Sequence, residues 1–123
     1  MPGRSKSLTT TKAGSKMPPL HPGEMLREDF MKPLGLSANA LALALRVPVT
    51  RISEIVNERR SVTADTALRL AQYFGISASF WMRLQTQYEL DLAEDQIAAN
   101  IRREVQPAPR DEKTGELKPA ANA

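Results

Sequence analysis

Apolar and polar positions recur along this chain with a helical period, most clearly in residues 36–69, LSANALALALRVPVTRISEIVNERRSVTADTALR. Ser37 is a residue type that caps helix N-termini, and Leu36 before it can pack on Leu41 as a hydrophobic staple. The helix that follows carries Leu41, Ala42, Ala44 and Leu45 and ends in a turn at Arg46-Val47. Pro48 falls in the first turn of a second helix, where its missing N–H costs nothing. In that helix Ile52, Ile55 and Val56 recur at i, i+3 and i+4 and make one apolar stripe. At roughly 100° per residue, the opposite face holds Thr50, Glu54 and Asn57, with Arg51 and Ser53 on its flanks. Such a helix suits a DNA major groove. It suits the surface of an ordinary all-α domain equally well, and periodicity does not choose between the two.

The flanking segments read as helices too. His21-Pro22-Gly23-Glu24 opens the first: Pro22 suits its first position and Glu24 its positive dipole end. Met25, Leu26, Phe30 and Met31 supply its core side, and Pro33 is expected to stop it. His21 reads as a helix-entry residue, since no second acid–base partner lies near it in sequence. Thr63 is the expected N-cap of a further helix, with Asp65 in its first turn and Gly75 beyond its end. Ala67, Leu70, Ala71 and Phe74 give that helix its buried face. Ser77 is the next N-cap, across which Ile76 can staple onto Trp81.

The last helix is expected over residues 78–103. Trp81, Leu84, Tyr88 and Leu92 line one stripe, which Ile97 and Ile101 prolong. Four short helices cannot cover so long an apolar face, so a homodimer through Trp81, Leu84, Tyr88, Leu92 and Ile97 is expected. The alternative is that Trp81 and Leu84 complete the core of one copy while the remainder frays. Residues 1–18 and 105–123 lack periodicity and are expected to be disordered tails around a body at 19–104.

Composition narrows the chemistry. The chain has 123 residues, 41% of them hydrophobic and only 5% aromatic, so Leu, Ile, Val and Ala must build the core. It has no cysteine and one histidine, which removes thiol chemistry, disulfides and any multi-histidine metal site. No cofactor is implied. No phosphate-cradling glycine loop or paired acid–base group is present either, so an enzyme is the weakest reading. No apolar run approaches the roughly 20 residues that span a bilayer, and no secretory leader is seen. A cytoplasmic protein is expected. The net charge is +3. The leader holds Arg4, Lys6, Lys12 and Lys16 and no acid, while the body is nearly neutral. A DNA-binding surface must therefore arise by clustering, and Arg46, Arg51, Arg59, Arg60 and Arg69 provide it. Glu89, Asp91, Glu94, Asp95 and Glu104 make the last helix acidic, which does not favour DNA.

The helical pattern resembles the helix-turn-helix of the Cro/C1-type (Xre) superfamily, and within it the HigA antitoxin family. The residues that carry the likeness are His21-Pro22-Gly23-Glu24, Leu34-Gly35-Leu36-Ser37, Arg46-Val47-Pro48, the run from Arg51 to Asn57, then Arg59-Arg60-Ser61-Val62-Thr63, Ala67-Leu68-Arg69-Leu70 and Phe80-Trp81. It covers about residues 17–93 and neither tail. The resemblance implies an all-α, five-helix lambda repressor-like domain with a long last helix. It implies a dimer on a palindromic double-stranded DNA operator, repressing its own toxin–antitoxin operon, and neutralisation of a HigB-type mRNA endonuclease toxin. Two departures stand out. The superfamily commonly has glycine at Arg46, where a positive φ would strain an arginine by roughly 1 kcal/mol. Many relatives have glycine or a basic residue at Glu58.

On this reading the first turn of the 37–45 helix, Ser37, Ala38 and Asn39, offers backbone N–H groups to a phosphate. Val49, Thr50, Arg51, Ser53, Glu54 and Asn57 face the groove. Arg51 pairs with a guanine, and Glu54 accepts from a cytosine or orients Arg51. Arg46, Arg59 and Arg60 meet phosphates. Two alternatives remain: a free-standing regulator with no toxin, and a protein-interaction module that has lost DNA binding.

Overall fold

A computed structural model describes residues 18–119. The expectation for the basic leader thus lies almost wholly outside the described residues. Among the described residues the chain forms five helices, with one isolated bridge and no strand. None of the helices is long and apolar enough to cross a membrane.

Helix α1 runs in three continuous parts: an α-helical turn at Pro22–Met25, a wider π-helical stretch at Leu26–Met31 and a last turn at Lys32–Leu34. Pro33 therefore does not stop the helix. Its ring would strike the carbonyl four residues back, and it has no N–H to give. The widened stretch just before it, where the Lys32 N–H reaches the Arg27 carbonyl, absorbs that conflict. The helix ends instead at Gly35, with φ at 66°. There the Leu36 N–H reaches back to the Met31 carbonyl and the Gly35 N–H to that of Lys32, a Schellman closure.

Helix α2 spans Ala38–Leu45, α3 Val49–Val56, α4 Ala64–Phe74 and α5 Ala78–Glu104. Pro48 is the cap residue before α3, one place earlier than its composition suggested. Thr63 and Ser77 cap α4 and α5, the latter through a 3.2 Å bond from the Phe80 N–H to the serine hydroxyl.

Among the described residues, 18–92 form one compact unit. Its core gathers Leu26 and Met31 of α1, Leu41, Ala42 and Leu45 of α2, Ile52, Ile55 and Val56 of α3, Val62, Ala67 and Leu70 of α4 and its approach, and Trp81 of α5. The apolar stripe of α3 is thus buried as its spacing required. Trp81 is also fully buried, packed between Phe30 and Phe80, and is not available to a second copy. It is a core residue and not a dimerisation residue. Gly23 brings α1 directly against the backbone of α3: a Cβ built there would lie 1.7 Å from the Ile55 carbonyl oxygen. Residues 93–119 form a second unit. In it the segment after α5 carries a local turn, closed by a bridge between Arg110 and Leu117 and by two N–H bonds to the Asp111 carboxylate.

Candidate nucleic-acid interface

Helices α2 and α3 are joined by only Arg46, Val47 and Pro48. Arg46 takes the left-handed conformation, φ 61° and ψ 45°, so the superfamily's glycine position is filled here by a strained arginine. The Val47 N–H reaches the Ala42 carbonyl at 3.0 Å and the Arg46 N–H that of Leu43 at 3.2 Å, which closes α2 as glycine closes α1. The arginine side chain is exposed beside the turn.

The end of α3 repeats this device. Glu58 has φ 63°, and the Arg59 N–H reaches the Glu54 carbonyl at 2.8 Å. Arg27 of α1 holds this end: its guanidinium donates to the Val56 carbonyl and pairs with Glu58 at 3.5 Å. Helix α3 is thus fixed at its exit by α1 as well as along its stripe.

Each expected contact residue can now be located. Ser37 accepts from the Ala40 N–H at 3.0 Å, which leaves the N–H groups of Ala38 and Asn39 at the mouth of α2. Val49 and Thr50 are exposed at the start of α3, Ser53 and Glu54 are half-buried, and Asn57 is exposed at its end. The Asn57 amide folds back onto the Ser53 carbonyl at 2.9 Å. Arg59 and Arg60 are exposed in the loop that follows.

Two pairings differ from expectation. Glu54 does not orient Arg51; it pairs with Arg60 at 3.0 Å and so ties the loop to α3. Arg51 instead donates from Nη1 to the Asp65 carboxylate at 2.6 Å and to the Thr66 hydroxyl at 3.5 Å, both on α4. The same Asp65 oxygen accepts from Arg69 Nε at 3.0 Å, and Arg69 Nη1 donates to the Leu45 carbonyl at 2.9 Å. Hydrogen bonds from Arg69 and then Arg51 hold the Asp65 carboxyl below its usual range, so it stays ionised. This chain of contacts links the end of α2, the flank of α3 and the start of α4. The helical wheel explains why: Arg51 lies at the edge of the buried stripe, on the α4 side, and not at the centre of the polar face.

Three further residues shape the site, of which the sequence pattern marked only Gly23, in the opening of α1. Gly23 and Arg27 act from α1, as described. Gln85, on the buried face of α5, accepts the Val62 N–H at 2.8 Å and donates to Ser61 at 3.3 Å and Glu89 at 2.9 Å. It anchors the loop that carries Arg59 and Arg60. Its one sequence signal was its place four residues after Trp81, a step that continues the buried stripe. His21 caps α1: its Nδ1 accepts the Gly23 N–H at 2.8 Å, and Tyr88 meets its ring edge-on at 4.7 Å. Burial holds its pKa below the ordinary value, with Glu58 opposing and Arg27 adding to that shift. Among the described residues, no group of acidic or histidine side chains is placed to hold a metal.

Two short helices meeting at a three-residue turn, the second with an exposed polar face and a basic loop beyond it, define a helix-turn-helix domain. The Helix-turn-helix family model matches residues 28–81. Virulence-associated protein I of Dichelobacter nodosus is 57% identical over 88 residues, 71% of this chain and 82% of that protein. The solved Pseudomonas aeruginosa antitoxin HigA with higBA promoter is 44% identical, with a TM-score of 0.71 over 72% of this chain and 97% of that one. An addiction module antidote protein of the HigA family from Coxiella burnetii is 45% identical, with a TM-score of 0.71 over 74% of this chain and 99% of that one. The chain belongs to the HigA antitoxin family of Cro/C1-type helix-turn-helix proteins.

Proposed function

We propose that this protein is the antitoxin of a type II toxin–antitoxin system. It binds a palindromic operator as a dimer, represses its own operon from the cytoplasm and neutralises a HigB-type mRNA endonuclease toxin. The observation that carries the DNA-binding part is the exposed face of α3 together with its bracing. Thr50, Ser53, Glu54, Asn57 and the edge residue Arg51 stand on a helix whose far side is buried against α1, α2 and α4. Bracing of this kind is what base readout requires, because a hydrogen bond to a base edge discriminates only when its donor is held in place.

The division of labour follows from position. The free N–H groups at the start of α2, with Arg46, Arg59 and Arg60, hold phosphates and set register. The α3 side chains read bases: Arg51 donates to a guanine, Glu54 accepts from a cytosine amino group, and Val49 meets a thymine methyl. One copy carries few such contacts on a nearly neutral body, so two copies on a palindrome are needed for useful affinity. Leu84, Tyr88, Leu92 and Ile97 are the residues assigned to that dimer. Support comes from Ile97 and Ile101, which are 46% and 45% exposed on α5. Toxin neutralisation rests on family membership.

Co-expression tests the whole. The product of the adjacent gene should arrest growth when expressed alone, and this chain should restore growth and co-purify with it. A harmless neighbour that does not co-purify would leave a free-standing regulator. Loss of duplex binding as well would leave a protein-interaction module.

A further inference from the structure

Arg51 and Asp65 lie fourteen positions apart, on different helices, yet make one of the shortest side-chain contacts of the domain at 2.6 Å. Asp65 is half exposed, and its carboxylate lies against Arg51, a residue assigned to DNA. A carboxylate beside a phosphate backbone opposes binding. Its presence therefore calls for an account beyond attraction.

Its geometry supplies one. Both hydrogen bonds from Arg51 to α4 use Nη1. Guanidinium is a planar fork with five N–H donors, and two acceptors on one nitrogen restrict how that plane can turn. The Nε–Nη2 edge makes none of the hydrogen bonds described within the domain. That edge is a complete bidentate donor pair, the form in which arginine meets the two acceptors of a guanine. Asp65 is itself held: Arg69 Nε bonds the same oxygen, and Arg69 is seated on the Leu45 carbonyl at the end of α2. Arg51 therefore has an orientation before any ligand arrives.

We infer that Asp65 is a specificity-determining positioning residue, which presents Arg51 to a base at the expense of general affinity for DNA. The inference rests on the reading of α3 as the base-reading helix. Asp65 touches no base; it acts through Arg51. Two consequences oppose each other and so identify the role. Removing the carboxylate takes a negative charge from the interface and raises affinity for any duplex. It also frees Arg51 to rotate, which lowers the preference for the right duplex.

The test uses the full chain and two duplexes at two salt concentrations. One duplex spans the region directly upstream of its own operon, and the other is a scramble of equal composition. Asp65→Ala should bind the scramble more tightly than wild type, yet its operator-to-scramble ratio should fall by about tenfold, the scale of one base contact. Asp65→Asn keeps an acceptor and should fall less, and it serves in place of alanine if the alanine variant melts early. In an Arg51→Ala background, Asp65→Ala should leave the ratio unchanged, because there is no arginine left to position. A purely structural role would weaken both duplexes together. An unchanged ratio in the folded Asp65 variants overturns the inference, as does an equal fall in the Arg51→Ala background. A wild type that binds both duplexes alike overturns the reading of α3 itself, and the inference with it.

Discussion

Replacing Gly23 with alanine tests how closely α1 braces α3. The added Cβ would lie 1.7 Å from the Ile55 carbonyl oxygen, 2.7 Å from the carbon of the same carbonyl and 3.1 Å from His21 Nδ1. Carbon and oxygen settle at about 3.3–3.6 Å, so the first turn of α1 must withdraw from α3 by roughly 1.5 Å. Neither wall is soft: one is backbone of a helix whose flanking side chains are buried, and the other is a buried ring. Overpacking of a tight core costs about 1–3 kcal/mol. The withdrawal also pulls the Gly23 N–H from His21, and losing an N-cap costs about 1 kcal/mol. The sum is about 2–4 kcal/mol, or roughly 10–25 °C of melting temperature for a domain of this size. Thermal unfolding followed by circular dichroism measures it, with Gly35→Ala as the control. Gly35 has φ 66° but open space around it, so its substitution should cost only about 1–2 kcal/mol of backbone strain. A Gly23→Ala protein that melts within about 2 °C of wild type would refute the close contact between α1 and α3.

Three other outcomes are expected. Arg46→Gly should raise stability by up to about 1 kcal/mol, by relieving a left-handed arginine. It should also lower DNA affinity and flatten the salt dependence by about one unit; unaltered DNA binding would remove Arg46 from the phosphate contacts. Because burial lowers the pKa of His21, the unfolded chain binds the extra proton, so stability is complete above the ordinary value of 6.5 and declines as pH falls below it. Melting from pH 8 to pH 5 should show that decline, and His21→Asn, which can still cap α1, should flatten it; an equal decline in the variant would assign it elsewhere. Charged residues at Leu92 and Ile97 should give a soluble monomer with weaker operator binding, and a wild type that sediments as a monomer at high micromolar concentration would contradict the dimer.

The five helices were legible because their stripes, caps and stops are local. Ile52, Ile55 and Val56 repeat at helical spacing, Ser37 and Ser77 cap as their type requires, and Gly75 ends α4 with φ at 78°. Pro33 misled because a rule about one residue ignored the six-residue π-helical stretch beside it. The exposed face of α3 was legible in the sequence, but the network around it was not. Arg51 finds Asp65 fourteen positions away, and Arg27 finds the end of α3 at twenty-nine. No periodicity carries such pairings, since they depend on how helices cross. Trp81 was misassigned for a related reason: a stripe on a long helix does not say where one buried neighbour ends and the next begins. Gln85 shows the converse, a polar residue on a buried stripe whose amide holds the Ser61–Val62 backbone and side chain in place.

The claim at the centre is that α3 reads sequence while the turn and loop beyond it hold the backbone. Titration of Arg51→Ala, and of Arg59→Ala combined with Arg60→Ala, against the operator and a scrambled duplex at two salt concentrations separates the two roles. Arg51→Ala should cost the operator about 1–3 kcal/mol more than it costs the scramble. The double variant should weaken both duplexes alike and flatten the salt dependence by about one unit per lost contact. An operator-to-scramble ratio that survives Arg51→Ala intact would contradict the account.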